Sequence, residues 1–415
     1  MAERFVLSNG LTVLLEPMPY LRSASIGVWV KAGSMLESPG ENGLSHFMEH
    51  MAFKGTEKRT ARQIAEEMDA VGGMLNAATS KLSTNYYAKV LDEDLPLAAD
   101  ILADIVCCPA LNRQEMDKER GVVLEEIAMV EDSPEDVVFD LLAEAVFGTQ
   151  SLGQTILGPA EKIAAYQPED LIAFRKRHYG PKNTVIALAG NVTAERAQAL
   201  LEETFGKWQG EAGEEFPRTV AVDEERKLAR EKDTEQVHLC LSYRGCEMGS
   251  ANVYPSAVLN TVLGGGMSSR LFQRIREELG MAYSVYSGPS NYPYCGEFTI
   301  YAATSPQTAG KVLEQIDLEV KKLLSEGIRE QEFIQAKAQL KSSFVLGQES
   351  SYNRMNALGS NQILLGRIIP QEETLAQIDK VTRERVMEYA AELLNGPKSY
   401  AVVGRKADKY ISYMR

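Results

Sequence analysis

Residues 43–56 read Gly43-Leu-Ser-His46-Phe-Met-Glu49-His50-Met-Ala-Phe-Lys-Gly55-Thr56. The spacing predicts a helix over residues 42–54. His46, Glu49, His50 and Phe53 then share one face at i, i+3, i+4 and i+7. Leu44, Phe47, Met48 and Met51 form an apolar stripe on the other side. The stripe seats the helix in a core, and the opposite face presents two imidazoles one turn apart. That separation lets both reach a single zinc ion at about 2.0–2.1 Å. Glu49, between them, can reach a metal-bound water without itself being a ligand. Two histidines satisfied in a core or at a surface are the ordinary alternative. Only four histidines occur in the chain, however (His46, His50, His178 and His238), and two of them fall in this pattern.

Outward from this helix the chain alternates strands and helices. An extended segment turns at Asn9-Gly10 and resumes at 11–15. A strand-like run at 24–32 ends at Gly33, and a second helix is expected around 61–70. Two more helices and a strand at 183–189 close the half. The second half repeats this order. A strand at 236–243 ends at Gly245, followed by a helix at 254–263, glycines at 264–266, a helix around 270–279, an extended run at 297–303, two helices and a strand at 399–403. Gly33 and Gly245, Gly55 and Gly266, and Ile64 and Ile275 align at offsets of 212, 211 and 211. A duplicated α/β domain explains this economically; chance likeness of two α/β halves is the alternative. The polar run at 210–217 reads as a linker. The expected domains are therefore 1–209 and 224–415, joined by 210–223.

Catalytic zinc takes three protein ligands and leaves one position open. His178 and His238 stand in unrelated contexts, so a carboxylate is the better candidate. Residues 112–131 look helical, with Met116, Val123, Ile127 and Val130 as the buried stripe. Glu119 and Glu126, seven residues apart, project within roughly 20° of each other beside that stripe, whereas Glu125 points about 100° away, toward solvent. Glu126 is the expected third ligand. Glu119 is the expected carboxylate behind the ligands, orienting them or tuning their basicity. Solvated surface glutamates are the alternative for both.

The chain's 415 residues, 44% hydrophobic and 25% charged, have the balance of a soluble globular protein, which excludes disordered and collagen-like classes. No stretch approaches the ~18 apolar residues of a membrane span, and no secretory signal is visible, so a cytoplasmic location is expected. The net charge of −14 disfavours nucleic acid as a partner. Five cysteines are an odd number. Cys107 and Cys108, adjacent in an apolar run, are expected as buried free thiols. The stretch Gly72-Gly-Met-Leu-Asn76-Ala77-Ala78-Thr79 places small residues after glycines, which lets another backbone approach. A peptide can then add as an extra strand; an ordinary turn and strand is the alternative.

These residues resemble the pitrilysin/insulinase family of zinc peptidases, within it the bacterial, mitochondrial-processing-peptidase-like branch. The family carries an inverted motif, His-x-x-Glu-His, and some seventy-odd residues later a glutamate ligand in a Glu-Arg-x-x-x-x-x-Glu setting. Here that setting is Glu119-Arg120-Gly-Val-Val-Leu-Glu-Glu126, with 75 residues between His50 and Glu126. Residues 43–56 resemble the first family motif throughout, Asn76, Ala77, Ala78 and Thr79 its substrate-binding edge strand, and Arg276-Glu-Glu-Leu-Gly-Met-Ala-Tyr283 the Arg and Tyr pair that helps bind substrate at the metal. The resemblance implies an α+β fold of two homologous domains, each a mostly antiparallel sheet packed against helices. It also implies half of a clamshell, so that a homodimer encloses a chamber. One zinc ion per chain is expected, in the first domain only. At offset 211, His46, Glu49 and His50 fall on Ala257, Asn260 and Thr261; at 217, Glu119 and Glu126 fall on Ala336 and Ser343. The Gly264–Gly266 loop is short where the mitochondrial partner subunit has a long glycine-rich loop, so presequence specificity is not implied.

The expected activity is zinc-dependent endopeptidase cleavage of unfolded or extended peptides. Glu49 is the expected base, Tyr283 a donor to the oxyanion, and Arg276 a grip on the peptide. The alternatives are a non-catalytic subunit, a subunit active only beside a different chain, and a zinc hydrolase of small amides.

Overall fold

The run Ser-Ala-Ser-Ile-Gly-Val-Trp-Val at Ser23–Val30 is apolar on both alternating faces, the composition of a strand buried between two layers. It lies inside a six-stranded sheet. The computed structural model describes residues 2–222 and 224–413. Outside them lie the outer limits of both expected domains and Asp223, the last residue of the expected linker.

Among the described residues the strands form two sheets. The first joins β1 (Glu3–Val6), β2 (Thr12–Pro17), β3 (Ser23–Val30), β4 (Met74–Thr79), β5 (Thr84–Leu91) and β6 (Thr184–Gly190) in the order β1-β2-β6-β3-β5-β4. The second joins β7 (Lys227–Glu231), β8 (Val237–Gly245), β9 (Ala282–Asn291), β10 (Gly296–Thr304) and β11 (Lys398–Gly404) in the order β7-β11-β8-β10-β9. The helices are α1 (Leu44–Ala52), α2 (Ala61–Ala70), α3 (Leu95–Cys107), α4 (Arg113–Asp132), α5 (Pro134–Phe147), α6 (Ala160–Ala165), α7 (Pro168–His178), α8 (Ala194–Phe205), α9 (Val253–Leu263), α10 (Ala309–Glu326), α11 (Glu330–Gly347), α12 (Ser351–Leu365), α13 (Gln371–Lys380), α14 (Arg383–Leu394) and α15 (Ala407–Ile411).

The sheets repeat one topology. The order β2-β6-β3-β5-β4 matches β7-β11-β8-β10-β9, and β2/β6 and β7/β11 are the parallel pairs in otherwise antiparallel sheets. The chain is therefore α+β with two homologous domains. Its compact units comprise Met1–Ile127, Thr155–Pro217 and Val345–Gln371 in one, and Ala128–Gln154, Arg218–Phe344 and Glu372–Arg415 in the other.

In the first unit, Val13, Leu15, Ile26, Val28, Ile186 and Leu188 pack with α1, α3 and α8 on one face of the sheet. Leu14, Trp29, Val185 and Ala187 face the other way and are covered by Met355 and Leu358 of α12. Gly359 exists for that contact, since a Cβ there would stand 2.3 Å from the Trp29 ring. The second unit is built alike. Its sheet is covered on one face by α9, α10 and α14, and on the other by α5, whose Phe139 stacks on Tyr301 with centroids 5.5 Å apart. Each sheet thus takes a covering helix from the other half of the sequence.

Two local expectations are corrected. The segment expected as a second helix around 270–279 is a π-helix over Phe272–Glu278, with Leu279 N–H donating to the Arg274 carbonyl. Apolar spacing across so short a segment does not distinguish its pitch from an α-helix. Cys107 and Cys108 are free as expected, as are the other three cysteines, but Cys108 is exposed and Cys107 only partly buried, at the point where α3 ends.

Candidate metal centre

Helix α1 starts where only glycine fits. Gly43 has φ 99°, and a Cβ there would stand 2.6 Å from the Leu157 carbonyl oxygen. The buried Glu37 carboxylate accepts from the N–H groups of Gly43 (2.9 Å) and Ser45 (2.6 Å) and from the Asn42 amide (3.2 Å). These are among the donors a helix start leaves unmatched. Anchored in this way, α1 buries Leu44, Phe47, Met48 and Met51 to at most 2% exposure. His46, Glu49 and His50 are left on the opposite face. Helix α4 is pinned beside it by Arg120, which donates to the Ile163 and Tyr166 carbonyls and lies over the Phe47 ring at 5.8 Å.

Glu126 Oε2 stands 3.6 Å from His46 Nε2 and 3.3 Å from His50 Nε2. All three donor atoms lie within 4.8 Å of one another, and they form the metal-competent group found among the described residues. Donors at about 2.0–2.2 Å from one tetrahedral ion stand roughly 3.3–3.6 Å apart, and both Glu126–histidine separations match that spacing. Glu125 is exposed, as its helical angle required. Behind the cluster, Glu119 Oε1 meets His50 Nδ1 at 2.8 Å and Glu119 Oε2 meets Lys54 Nζ at 2.6 Å. With its Nδ1 engaged by Glu119, His50 turns Nε2 toward Glu126.

Burial, and then the neighbouring His50, lower His46 to about 4, leaving its ring neutral with a free lone pair at neutral pH. Burial also disfavours the charged form of His50, but the hydrogen bond and charge of Glu119, with Glu126 and Glu49, raise it above the ordinary imidazole value. Glu119 is pushed up by burial and pulled down further by His50 and Lys54, ending below the usual carboxylate range. Burial raises Glu49, against the hydrogen bond from Thr79.

The other expected residues lie as follows. Asn76, Ala77, Ala78 and Thr79 belong to β4, the edge strand of the first sheet, whose residues alternate between exposed and half-buried. In the second unit, Arg276 on the π-helix lies 4.7 Å from the Phe272 ring and 4.5 Å from the Tyr283 ring, and donates to the Tyr283 carbonyl at 3.0 Å. Tyr283 is 74% exposed and borders a cleft of about 410 Å³ with Asn260 and the glycines at 264–266. His178 packs on Phe174, and His238 Nδ1 pairs with the Tyr301 hydroxyl at 2.9 Å. Sequence reading missed Glu37 and Lys54. Lys54 sits four residues past His50, a spacing that signals a shared side; Glu37 carries no such signal.

Residues 12–160 match the description Insulinase (Peptidase family M16), and residues 165–340 match Peptidase M16 inactive domain. The uncharacterized zinc protease YmxG of Bacillus subtilis is 42% identical, over 97% of this chain and 98% of its own. The chain belongs to the insulinase (peptidase M16) family. Another relative, an uncharacterized zinc protease of Streptomyces coelicolor, is 38% identical over 99% of this chain and 91% of its own. A protease from Helicobacter pylori shares this fold at a TM-score of 0.93, with 22% identity, covering 97% of this chain and 99% of that one.

Proposed function

We propose that this M16 chain is a zinc-dependent endopeptidase that hydrolyses internal bonds of unfolded or extended peptides. The observation that carries it is the convergence of His46 Nε2, His50 Nε2 and Glu126 Oε2, with Glu49 on the same helix face. One zinc ion per chain, held by those three residues, supplies a Lewis acid and brings the pKa of water toward ~7. Glu49 accepts the proton of the attacking water and returns it to the leaving amine. Burial moves its carboxylate above the ordinary value, toward the range where one group serves both steps. Glu119 orients His50. Tyr283 donates to the developing oxyanion, and Arg276 grips the peptide beside it.

The exposed edge of β4 accepts the peptide as an added strand through main-chain hydrogen bonds, which suits extended chains of varied sequence. The working form is a homodimer enclosing a chamber, without nucleic acid or membrane partners; no helix among the described residues is long and apolar enough to cross a membrane. Five free thiols suit the reducing cytoplasm.

The test is cleavage of a quenched fluorescent, unstructured basic peptide of about 15–20 residues, long enough to add as a strand, with Glu49→Gln alongside. Wild-type turnover, a drop of about 10²–10⁴-fold in the variant and equal zinc in both would support the reading. No turnover by either protein would favour a non-catalytic or partner-dependent subunit.

A further inference from the structure

We infer that Thr79 is a positioning residue for Glu49, its hydroxyl holding the carboxylate on the side of the His46, His50 and Glu126 cluster. The inference rests on the endopeptidase reading and deepens it. Thr79 closes β4, and its Oγ1 donates to Glu49 Oε2 at 2.5 Å, within the short range of charge-assisted O–H···O⁻ bonds. Its cross-strand partner on β5 is Thr84, fully buried, whose Oγ1 lies 3.2 Å from Thr79 Oγ1 and donates to the Ala32 carbonyl at 2.7 Å. Thr84's single proton is thereby committed, so its oxygen offers Thr79 only a longer, neutral acceptor. The charged, closer Glu49 accepts the Thr79 hydrogen bond instead.

The strand's alternation separates this role from substrate contact. Met74, Asn76 and Ala78 are exposed, whereas Leu75, Ala77 and Thr79 are half-buried, and Leu75 and Ala77 pack against the core that contains α1. A peptide adding to β4 is held through the strand's backbone, while the Thr79 side chain is already engaged with the base. A glutamate has three rotatable bonds, and anchoring α1 fixes only its backbone. The hydroxyl on the neighbouring strand fixes the carboxylate itself, tying the base to the strand that receives the substrate.

Thr79→Val removes the hydroxyl while keeping the shape and strand preference; Thr79→Ala and Thr79→Ser accompany it. Expected for Val and Ala is a kcat lower by about 10–100-fold, the usual loss for an orienting partner, with KM within about twofold and wild-type zinc content. Ser should recover most of the turnover. Crystal structures of the metal-free proteins should show the Glu49 carboxylate displaced in Val and retained in Ser. A raised KM at constant kcat would make Thr79 a substrate contact and overturn the inference, as would Glu49 unmoved in the Val variant. If the wild type turns over no peptide, the endopeptidase reading falls, and the position of Glu49 in the Val and Ser crystals still decides the inference.

Discussion

His50 carries the most constrained side chain of the centre, because each of its nitrogens meets a different carboxylate. Nδ1 meets Glu119 at 2.8 Å and Nε2 meets Glu126 at 3.3 Å. A metal binds only the neutral ring, so zinc affinity must begin to fall once pH drops below the value of His50, which lies above the ordinary 6.5. Burial lowers that value, and the Glu119 carboxylate, with Glu126 and Glu49, more than offsets it. Glu119→Gln should therefore move the onset of that fall to lower pH, while affinity at high pH weakens by about 10–100-fold. Chelator competition across pH measures both, and an onset at the wild-type pH would remove Glu119 from this role. Glu126→Gln should weaken zinc retention at every pH; unchanged zinc content would place the third ligand elsewhere.

At the scale of elements, the centre depends on how α1 begins. Glu37→Ala would leave the Gly43 and Ser45 N–H groups buried without acceptors, at about 1–3 kcal/mol for each unmatched group. Gly43→Ala adds strain at φ 99° and a collision with the Leu157 carbonyl, a loss of about 1–3 kcal/mol. Thermal unfolding should show both, and a melting temperature equal to wild type for either would refute the anchoring role. Strand β4 makes a separate prediction on the substrate side. If peptides bind it by strand addition, N-methylating the substrate amides that face β4 should raise KM by at least about tenfold, whereas changing side chains at the same positions should matter less. The helix of His46 and His50 and the glycine-led edge strand were both legible, because periodicity and small residues are local signals. The π-turn at Phe272–Glu278 was not, since it depends on which carbonyl each amide meets.

For the whole molecule, the exchange of α5 and α12 ties the halves of the sequence into one folding problem. A fragment of residues 1–209 lacks α12 and would expose Leu14, Met18, Trp29, Val185 and Ala187. A fragment of 224–415 lacks α5. Each fragment should aggregate when expressed alone, and coexpression should recover soluble protein. A soluble, cooperatively unfolding 1–209 fragment would contradict this. Sedimentation should find two 45.8-kDa chains per particle if the homodimer proposal holds, and a monomer retaining full turnover would end it.

The sequence by itself determined the helix that presents His46, Glu49 and His50, the side of α4 that carries Glu119 and Glu126, and the duplication of one α+β unit. These follow from how a side chain leaves its own element, which 3.6-residue and two-residue periods report directly. Tertiary structure alone decided that Glu37 anchors α1, that Lys54 completes the Glu119 contact, that Thr79 reaches Glu49, and that each sheet is covered by a helix from the other half. Those partners meet across elements distant in the chain. Packing selects them, because buried polar groups must find acceptors and apolar sheet faces must be covered wherever the chain can supply them.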